Sequence, residues 1–100
     1  MLENLVAINL YNKYKNGVYY LKSKTLDVDF FVEDTGEVIQ ASYSIKKNSD
    51  EREIKSLVQA AKTVKEAKRF IIITYEEEDE SLVDNVKIEI IPIWKWLIEN

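Results

Sequence analysis

The sequence predicts a single α/β domain with a mixed central sheet. Three observations support this fold class. Apolar residues near the N-terminus recur at helical spacing, the segments that follow are β-prone and in part alternate with a period of two, and a second amphipathic segment precedes a continuous β-branched run. A helix followed by such a run is typical of a crossover to a parallel strand. The chain has 100 residues, 46% of them hydrophobic, which suffices for one core, so we expect one domain over residues 1–100.

The first half of the chain predicts one helix and three strands. Residues 1–16 form an amphipathic helix that ends at Asn16 and Gly17, and its apolar stripe comprises Leu2, Leu5, Val6, Leu10 and Tyr14. Residues 18–22 (VYYLK) are aromatic and β-prone, and residues 26–32 alternate strictly. The turn signal in residues 34–36 (DTG) then joins this second strand to a third at residues 38–44. The second and third strands therefore form an antiparallel hairpin.

The second half predicts a helix, two strands and a short final helix. Asn48 caps a helix that ends near Ala67, with Glu51 as the capping-box acid. Residues 70–73 (FIII) form a strand covered on both faces, and residues 86–93 form a last strand whose pairing the sequence leaves open. The acidic residues 76–80 are expected to form a solvated loop. Pro92 prevents a helix from forming before the short amphipathic helix at the C-terminal end. The predicted order is therefore αβββαββα.

The composition limits the chemistry that the chain can perform. Cysteine and histidine are both absent, which excludes disulfides, thiolate zinc sites, cysteine nucleophiles and the usual neutral-pH general base. The carboxylates that remain suit Mg²⁺ or Mn²⁺ better than Zn²⁺. No apolar run is long enough to span a bilayer and no secretory signal is visible, so we expect a cytoplasmic protein without a membrane partner. Abundant Lys, Glu and Ile beside scarce Arg favour a thermophilic source.

The charge distribution argues against general nucleic-acid binding. The net charge is −4, and residues 71–100 hold eight acidic and two basic side chains, a local charge of −6. Affinity for DNA comes largely from Lys and Arg that neutralise phosphates. A nucleic-acid partner is therefore not favoured.

A candidate polar site lies on the predicted second and third strands. Alternation places one set of side chains on each face of the second strand: Asp27, Asp29, Phe31 and Glu33 on one, and Leu26, Val28, Phe30 and Val32 on the other. In a suitable register Asp29 lies beside Gln40 and Ser42 of the third strand, and Glu3 approaches from the first helix. Such a cluster is either a hydrogen-bonded network in a half-buried cleft or the remnant of a metal-dependent nuclease site.

These residues also carry a family resemblance. The layout resembles the C-terminal domain of unknown function that follows an AAA-type ATPase module in many archaeal and bacterial proteins, a domain similar to the PD-(D/E)xK restriction-endonuclease-like fold. Four segments match in order and spacing: residues 2–6 (LENLV), 28–32 (VDFFV), 39–43 (IQASY) and 90–97 (IIPIWKWL). The resemblance implies an αβββαβ core with a mixed sheet, to which this chain adds a last strand and a short C-terminal helix.

Carried over by position, the resemblance implies a degenerate nuclease site. Glu3 corresponds to the acid of the first helix and Asp29 to the aspartate of the nuclease motif, while Gln40 and Ser42 occupy the places of its (D/E) and K. Gln40 brings no negative charge to a cation and Ser42 no positive charge to a phosphate. The leading hypothesis is therefore a catalytically inactive nuclease-like module, without a cofactor, that interacts with itself or with an ATPase partner.

Two alternatives remain open. In the first, the chain is a weak Mg²⁺- or Mn²⁺-dependent DNA nuclease in which Asp29 and Glu3 hold the metal, with Asp27 or Glu37 as further acids, and a migrated Lys22 or Lys46 replaces the lost lysine. In the second, it is a plain nucleic-acid-binding module.

The sequence also indicates how partners could associate with the chain. It contains no G-x-x-x-x-G-K-[ST] motif, so an ATPase would have to be a separate domain. Trp94 and Trp96 are interface candidates, because helical spacing allows only one of them to enter the core.

Overall fold

The computed structural model describes residues 2–24, 26–43 and 50–99. In these segments the chain forms three helices and six strands, and the strands make one mixed sheet in the order β1-β2-β3-β4-β6-β5. The elements are α1 (Leu2–Lys13), β1 (Val18–Lys22), β2 (Asp27–Val32), β3 (Glu37–Ala41), α2 (Asp50–Thr63), β4 (Arg69–Thr74), β5 (Asp79–Val83), β6 (Val86–Pro92) and α3 (Ile93–Glu99). The predicted mixed α/β class is confirmed.

The central strand β4 pairs in parallel with β3 on one side and with β6 on the other. Ile71 and Ile73 point into the core cluster beneath α1 and α3, whereas Phe70 and Ile72 point into the cluster beneath α2. Both faces of β4 are therefore covered, which is why its sequence is apolar without alternation. The predicted crossover from β3 through α2 to a parallel β4 is confirmed.

The helices lie in two layers, with α1 and α3 on one face of the sheet and α2 on the other. On α1 the buried row is Leu2, Val6 and Leu10, because these positions recur at steps of four. Leu5 was expected in the same stripe, but its side chain is half exposed. The helix ends at Lys13, and Tyr14 packs against the cluster from just beyond this end.

The short strand β5 was not predicted, so the observed order is αβββαβββα. The acidic run does not form a simple loop, since Asp79 and Glu80 belong to β5 and pair antiparallel with β6. Asp84 and Asn85, both with positive φ, join β5 to β6 in a two-residue turn. Two such residues in a tight hairpin fit a type I′ turn, whose twist matches that of the strands. Pairing with β6 thus overrides the low strand propensity of an acidic segment.

The turn between β2 and β3 presses against the chain that enters β4. Gly36 has a φ of +75°, and a Cβ at this position would lie 2.5 Å from the carbonyl oxygen of Glu66. The Gly36 carbonyl accepts hydrogen bonds from the backbone N–H groups of Lys68 and Arg69. Glycine is required here both for its positive φ and because no side chain fits.

Some predicted boundaries shift by a few residues. Strand β3 ends at Ala41 instead of residue 44, and α2 ends at Thr63 instead of near Ala67. The proposed cap Asn48 lies outside the described residues, as does the side chain of Glu51. Within the described ranges, no helix is long and apolar enough to cross a membrane.

Candidate functional site

The candidate site is built on an irregularity in strand β2. In the pairing of β1 with β2, Tyr19 lies opposite Phe31 and Leu21 lies opposite Val28. The one residue between Tyr19 and Leu21 therefore faces two residues of β2, Asp29 and Phe30. This is the two-against-one arrangement of a β-bulge. The bulge reverses the faces of the strand, because Val28 and Phe31 enter the α2 cluster while Phe30 enters the opposite one. The strict alternation predicted for residues 26–32 is therefore wrong beyond Val28.

The side chain of Gln40 extends the hydrogen bonding between β3 and β2 beyond the end of their regular pairing. Regular pairing of β2 with β3 ends at Phe30 and Ile39. Next to this pair, Gln40 Oε1 accepts a hydrogen bond of 2.8 Å from the backbone N–H of Asp29, and Gln40 Nε2 donates one of 2.7 Å to the carbonyl of Asp27. Gln40 is 3% exposed. An amide is the side chain that can both donate and accept here, so Gln40 acts as a substitute for a backbone partner.

Asp29 completes this arrangement from the other strand. Its Oδ2 accepts a hydrogen bond of 2.9 Å from the backbone N–H of Ala41. Burial raises the pKa of Asp29 from 3.8 to about 6, since desolvation disfavours the charged carboxylate. The hydrogen bond from Ala41 opposes this shift, while the nearby charges of Glu3, Asp27 and Glu53 add to it. The carboxyl group therefore titrates near pH 6 and is surrounded by acids.

The other two predicted site residues lie close to this pair. Glu3 is exposed in the first turn of α1, and its charge acts on Asp29. Ser42 is half-buried just beyond β3, and its backbone N–H donates to the carbonyl of Ile73. The structure thus gathers Glu3, Asp29, Gln40 and Ser42 at one end of the β2–β3 pair. Among the described residues, no group of three acidic side chains is arranged to hold a metal ion.

The residues of the nuclease alternative are distributed differently. Lys22 ends β1 opposite Asp27 in the ladder and is exposed. Glu37 begins β3, four residues before Ala41, and binds Arg69 at 3.3 Å, so it lies at the far end of the strand from Asp29. Lys46 lies outside the described residues. Of these residues, Asp27 and Lys22 are the two that the described structure places near Asp29.

Comparison with known proteins identifies the family. The model of a domain of unknown function, DUF4143, matches residues 1–96. The chain belongs to the DUF4143 family. It is also 36% identical, over 105 aligned positions, to an uncharacterized protein of Methanocaldococcus jannaschii, and the alignment covers 96% of this chain and 24% of that relative. The chain therefore spans about a quarter of the relative's length. No solved structure matches it.

The two tryptophans of this DUF4143 domain separate as the helical spacing predicts. Trp96 is 1% exposed and packs with Leu10 and Ile91 in the cluster beneath α1 and α3. Trp94 is 55% exposed on the other side of α3. Trp94 therefore remains a candidate for contact with a partner, whereas Trp96 belongs to the core.

The sequence did not predict one network of ionic residues in the DUF4143 domain. Arg69 binds Glu89 through Nε at 2.6 Å and Nη2 at 2.9 Å, and its Nη1 reaches the buried Glu37. The hydrogen bonds that Arg69 donates to Glu89 lower the pKa of Glu89 and raise the pKa of Arg69. These residues lie on three neighbouring strands, so only the strand order brings them together. Arg69 and Glu89 also line one part of a groove of about 490 Å³ along β5 and β6.

Proposed function

We propose that this DUF4143 domain is a catalytically inactive, nuclease-like module that acts through contacts with itself or with a P-loop ATPase partner. The carrying observation is the role of Gln40. The oxygen and the nitrogen of its side-chain amide both form hydrogen bonds with the backbone of β2, and the side chain is buried. A residue at this position in a working nuclease would present a carboxylate to a metal ion, whereas the polar atoms of Gln40 are hydrogen-bonded to the backbone.

The electrostatics of the site support the same proposal. A metal-dependent nuclease concentrates charged carboxylates so that a divalent cation neutralises them and activates water. Here Asp29 is directed to the backbone of Ala41, and its pKa is about 6. Ser42 carries no charge to stabilise a phosphate in the transition state. The elements of the reaction are therefore missing at two of the four positions, Gln40 and Ser42, and Glu3 and Asp29 do not supply them.

The scaffold and the partner belong to the proposal as well. The first six elements follow the order αβββαβ around a mixed sheet, which supports kinship with the restriction-endonuclease-like fold. An ATPase partner follows from the resemblance to domains that accompany AAA-type modules. The length of the Methanocaldococcus jannaschii relative, about four times that covered by the match, leaves room for such a module in that protein.

A cleavage assay tests the proposed inactivity. Purified chain is incubated with supercoiled plasmid and with single-stranded DNA, in Mn²⁺ and separately in EDTA. We expect no nicking by the folded chain. Mn²⁺-dependent nicking that disappears in Asp29→Asn, but not in the exposed control Asp34→Asn, would show a working site and refute the proposal.

The partner requires a separate experiment. Tagged chain is purified from its own cells, and the proteins that accompany it are identified by mass spectrometry. An accompanying protein with a G-x-x-x-x-G-K-[ST] motif, whose ATP hydrolysis rate changes when purified chain is added, would support an ATPase partner.

A further inference from the structure

Strand β1 forms one edge of the sheet. It stands first in the order β1-β2-β3-β4-β6-β5, and within the described residues its one strand neighbour is β2. An edge strand leaves half of its backbone N–H and C=O groups without a strand partner. β1 therefore offers a row of hydrogen-bonding groups to another chain.

Hydrogen bonds at the two ends of β1 show which residues provide these groups. The Gly17 carbonyl accepts a bond of 2.8 Å from the N–H of Glu33, and the Ser23 N–H donates one of 2.8 Å to the carbonyl of Leu26. Bonded and non-bonded positions alternate along an antiparallel strand, and the bulge lies in β2, so the odd-numbered residues of β1 turn toward β2. The residues that turn to the open edge are Val18, Tyr20 and Lys22.

The side chains of β1 occupy both faces of the sheet. Val18 packs against the cluster beneath α1 and α3, and Leu21 packs against the cluster beneath α2. By alternation Tyr20 lies on the face of Val18, and Tyr19 lies on the face of Leu21. Tyr19 is 47% exposed and Tyr20 is 62% exposed. A strand added at this edge would thus find one tyrosine on each face, and aromatic side chains pair well with β-branched neighbours across strands.

The charge around β1 is opposite to that of the rest of the chain. Residues 4–26 contain no acidic residue and four lysines, which are Lys13, Lys15, Lys22 and Lys24. Since the whole chain has a net charge of −4 and this segment carries +4, the remaining residues carry −8. Lys15, Lys22 and Lys24 are exposed, and none of them forms an ion pair with a described residue. Lys22 is unpaired even though Asp27 lies opposite it in the ladder.

These charges select the occupant of the edge. Lysines on an edge strand oppose its pairing with the same strand of a second copy, because like charges would meet. A segment that contains Asp or Glu instead meets complementary charges, which speed its encounter with the strand and disfavour other partners. Nucleic acid fits less well, since Tyr19 and Tyr20 lie on opposite faces and so do not form one platform on which successive bases could stack.

We propose that β1 is a docking strand for an extended acidic segment of a partner protein. The segment adds to the sheet as a further strand, bonds to the outward backbone groups of β1 and places its carboxylates near the lysines within and beside the strand. β1 has five residues, so about five to seven residues of the partner suffice. This inference rests on the proposed function, because it identifies a surface through which the module contacts a protein.

A labelled peptide of alternating glutamate and valine, about ten residues long, serves as the probe and is long enough to span β1. Fluorescence anisotropy measures its binding to the purified chain at low salt. Two matched peptides separate charge from strand pairing. Glutamine in place of glutamate removes the charge, whereas proline in place of valine keeps the charge and removes backbone N–H groups. Each change should weaken binding by about tenfold or more.

Hydrogen exchange locates the bound peptide on the strand. The outward N–H groups of Val18, Tyr20 and Lys22 should exchange more slowly when the alternating glutamate and valine peptide is added. The inward N–H groups of Tyr19 and Leu21 should already be protected in the free chain, because β2 binds them.

A pair of charge reversals tests the role of the lysines. Lys22→Glu combined with Lys24→Glu should weaken binding of the acidic peptide by about tenfold or more. Lys55→Glu combined with Lys65→Glu is the matched control, since it changes the net charge equally at two exposed lysines outside residues 4–26. The control should alter the affinity by less than about twofold.

A proline substitution tests the role of the backbone. Tyr20→Pro removes an outward N–H and leaves the bonds to β2 in place, so it should abolish binding. Leu82→Pro is the control on the opposite edge of the sheet, because Leu82 is 72% exposed on β5 and, next to the bonded pair that closes the hairpin, also turns its N–H outward. Circular dichroism shows whether each variant is folded, and the lysine reversals decide the matter if Tyr20→Pro is not.

Several results would overturn the docking strand. They are no binding of the acidic peptide by ~1 mM chain, equal binding of the proline peptide, and an equal loss of affinity in the Lys55 and Lys65 control. Tighter binding of single-stranded DNA at the same lysines, or self-association that the Lys22 and Lys24 reversals abolish, would assign the edge to another occupant. A chain that binds the peptide and also cleaves DNA would refute the proposed inactivity but leave the docking strand intact, whereas an inert chain that does not bind it would do the reverse.

Discussion

Replacement of Asp29 by asparagine should stabilise the protein at neutral pH and have no effect in acid. The folded chain holds the pKa of Asp29 at about 6, against 3.8 for a free carboxyl, mainly because of burial. Asparagine keeps an oxygen that can accept the hydrogen bond from Ala41, so the substitution removes the buried charge and little else. The variant therefore isolates the cost of burying one carboxylate.

The sign and size of the effect follow from proton linkage. Between pH 3.8 and about 6 the folded state binds a proton that the unfolded state has released, so the contribution of Asp29 to stability falls as the pH rises through this window. A shift of about two pKa units corresponds to ~3 kcal/mol. Solvent screening of this partly exposed carboxyl reduces the value to ~1–2 kcal/mol.

Guanidinium unfolding at several pH values between 3.5 and 8 measures this difference. At pH 7.5 Asp29→Asn should unfold with a free energy ~1–2 kcal/mol above that of the parent, and near pH 4 the two should agree. Asp34→Asn removes an exposed charge in the β2–β3 turn and serves as the control for net charge. A variant that is less stable than the parent at pH 7.5, or a difference that does not depend on pH, would refute the reasoning.

Three further substitutions test other parts of the structure. Gln40→Glu should lower the free energy of unfolding at pH 7.5 by ~2–4 kcal/mol, because it buries a charge and removes a donor to the backbone of β2, and chemical denaturation measures this loss. Gly36→Ala should cost ~2–4 kcal/mol by steric conflict and positive φ. Gly17→Ala has positive φ but places its Cβ only in ordinary contact with Glu33, at 3.6 Å, and should cost only ~1 kcal/mol; equal melting temperatures would contradict this account. Arg69→Met should cost ~1–3 kcal/mol at pH 7. The part of this loss due to Glu89 should vanish as the pH falls through the pKa of Glu89, which lies below 4.5, so a loss that stays constant down to the lowest pH at which the parent is folded would count against the ionic explanation.

Local sequence patterns predicted most of the fold. The steps of four between Leu2, Val6 and Leu10 indicate a helix because the backbone repeats every 3.6 residues. Apolar character without alternation at residues 70–73 indicates a strand with helices on both sides, and β4 is such a strand. These predictions succeed because the side of each element that is buried determines the spacing of apolar residues in its own sequence.

The two failures that concern the sheet share one cause, which is that the pairing between two strands cannot be read from the sequence of either strand alone. Strand β5 exists because β6 offers it hydrogen-bonding partners, although Asp79 and Glu80 have low strand propensity. The turn residues Asp84 and Asn85 are the signal that could have revealed it. The bulge at Asp29 likewise depends on how β1 pairs with β2.

The sequence by itself determined which chemistry is open to this protein and which side chains could take part in it. Without histidine or cysteine, the chain has only carboxylates, amides, hydroxyls and amines to use, and no folded arrangement alters that inventory. The placement of Asp29 near Gln40 also followed from the expected hairpin. Tertiary structure alone decided what these residues do, because regular pairing of β2 with β3 stops at Phe30 and Ile39 and the buried amide of Gln40 then binds both the N–H of Asp29 and the carbonyl of Asp27. A hydrogen bond depends on distances of a few tenths of an ångström, which are set by register and packing across the whole sheet and not by any one segment.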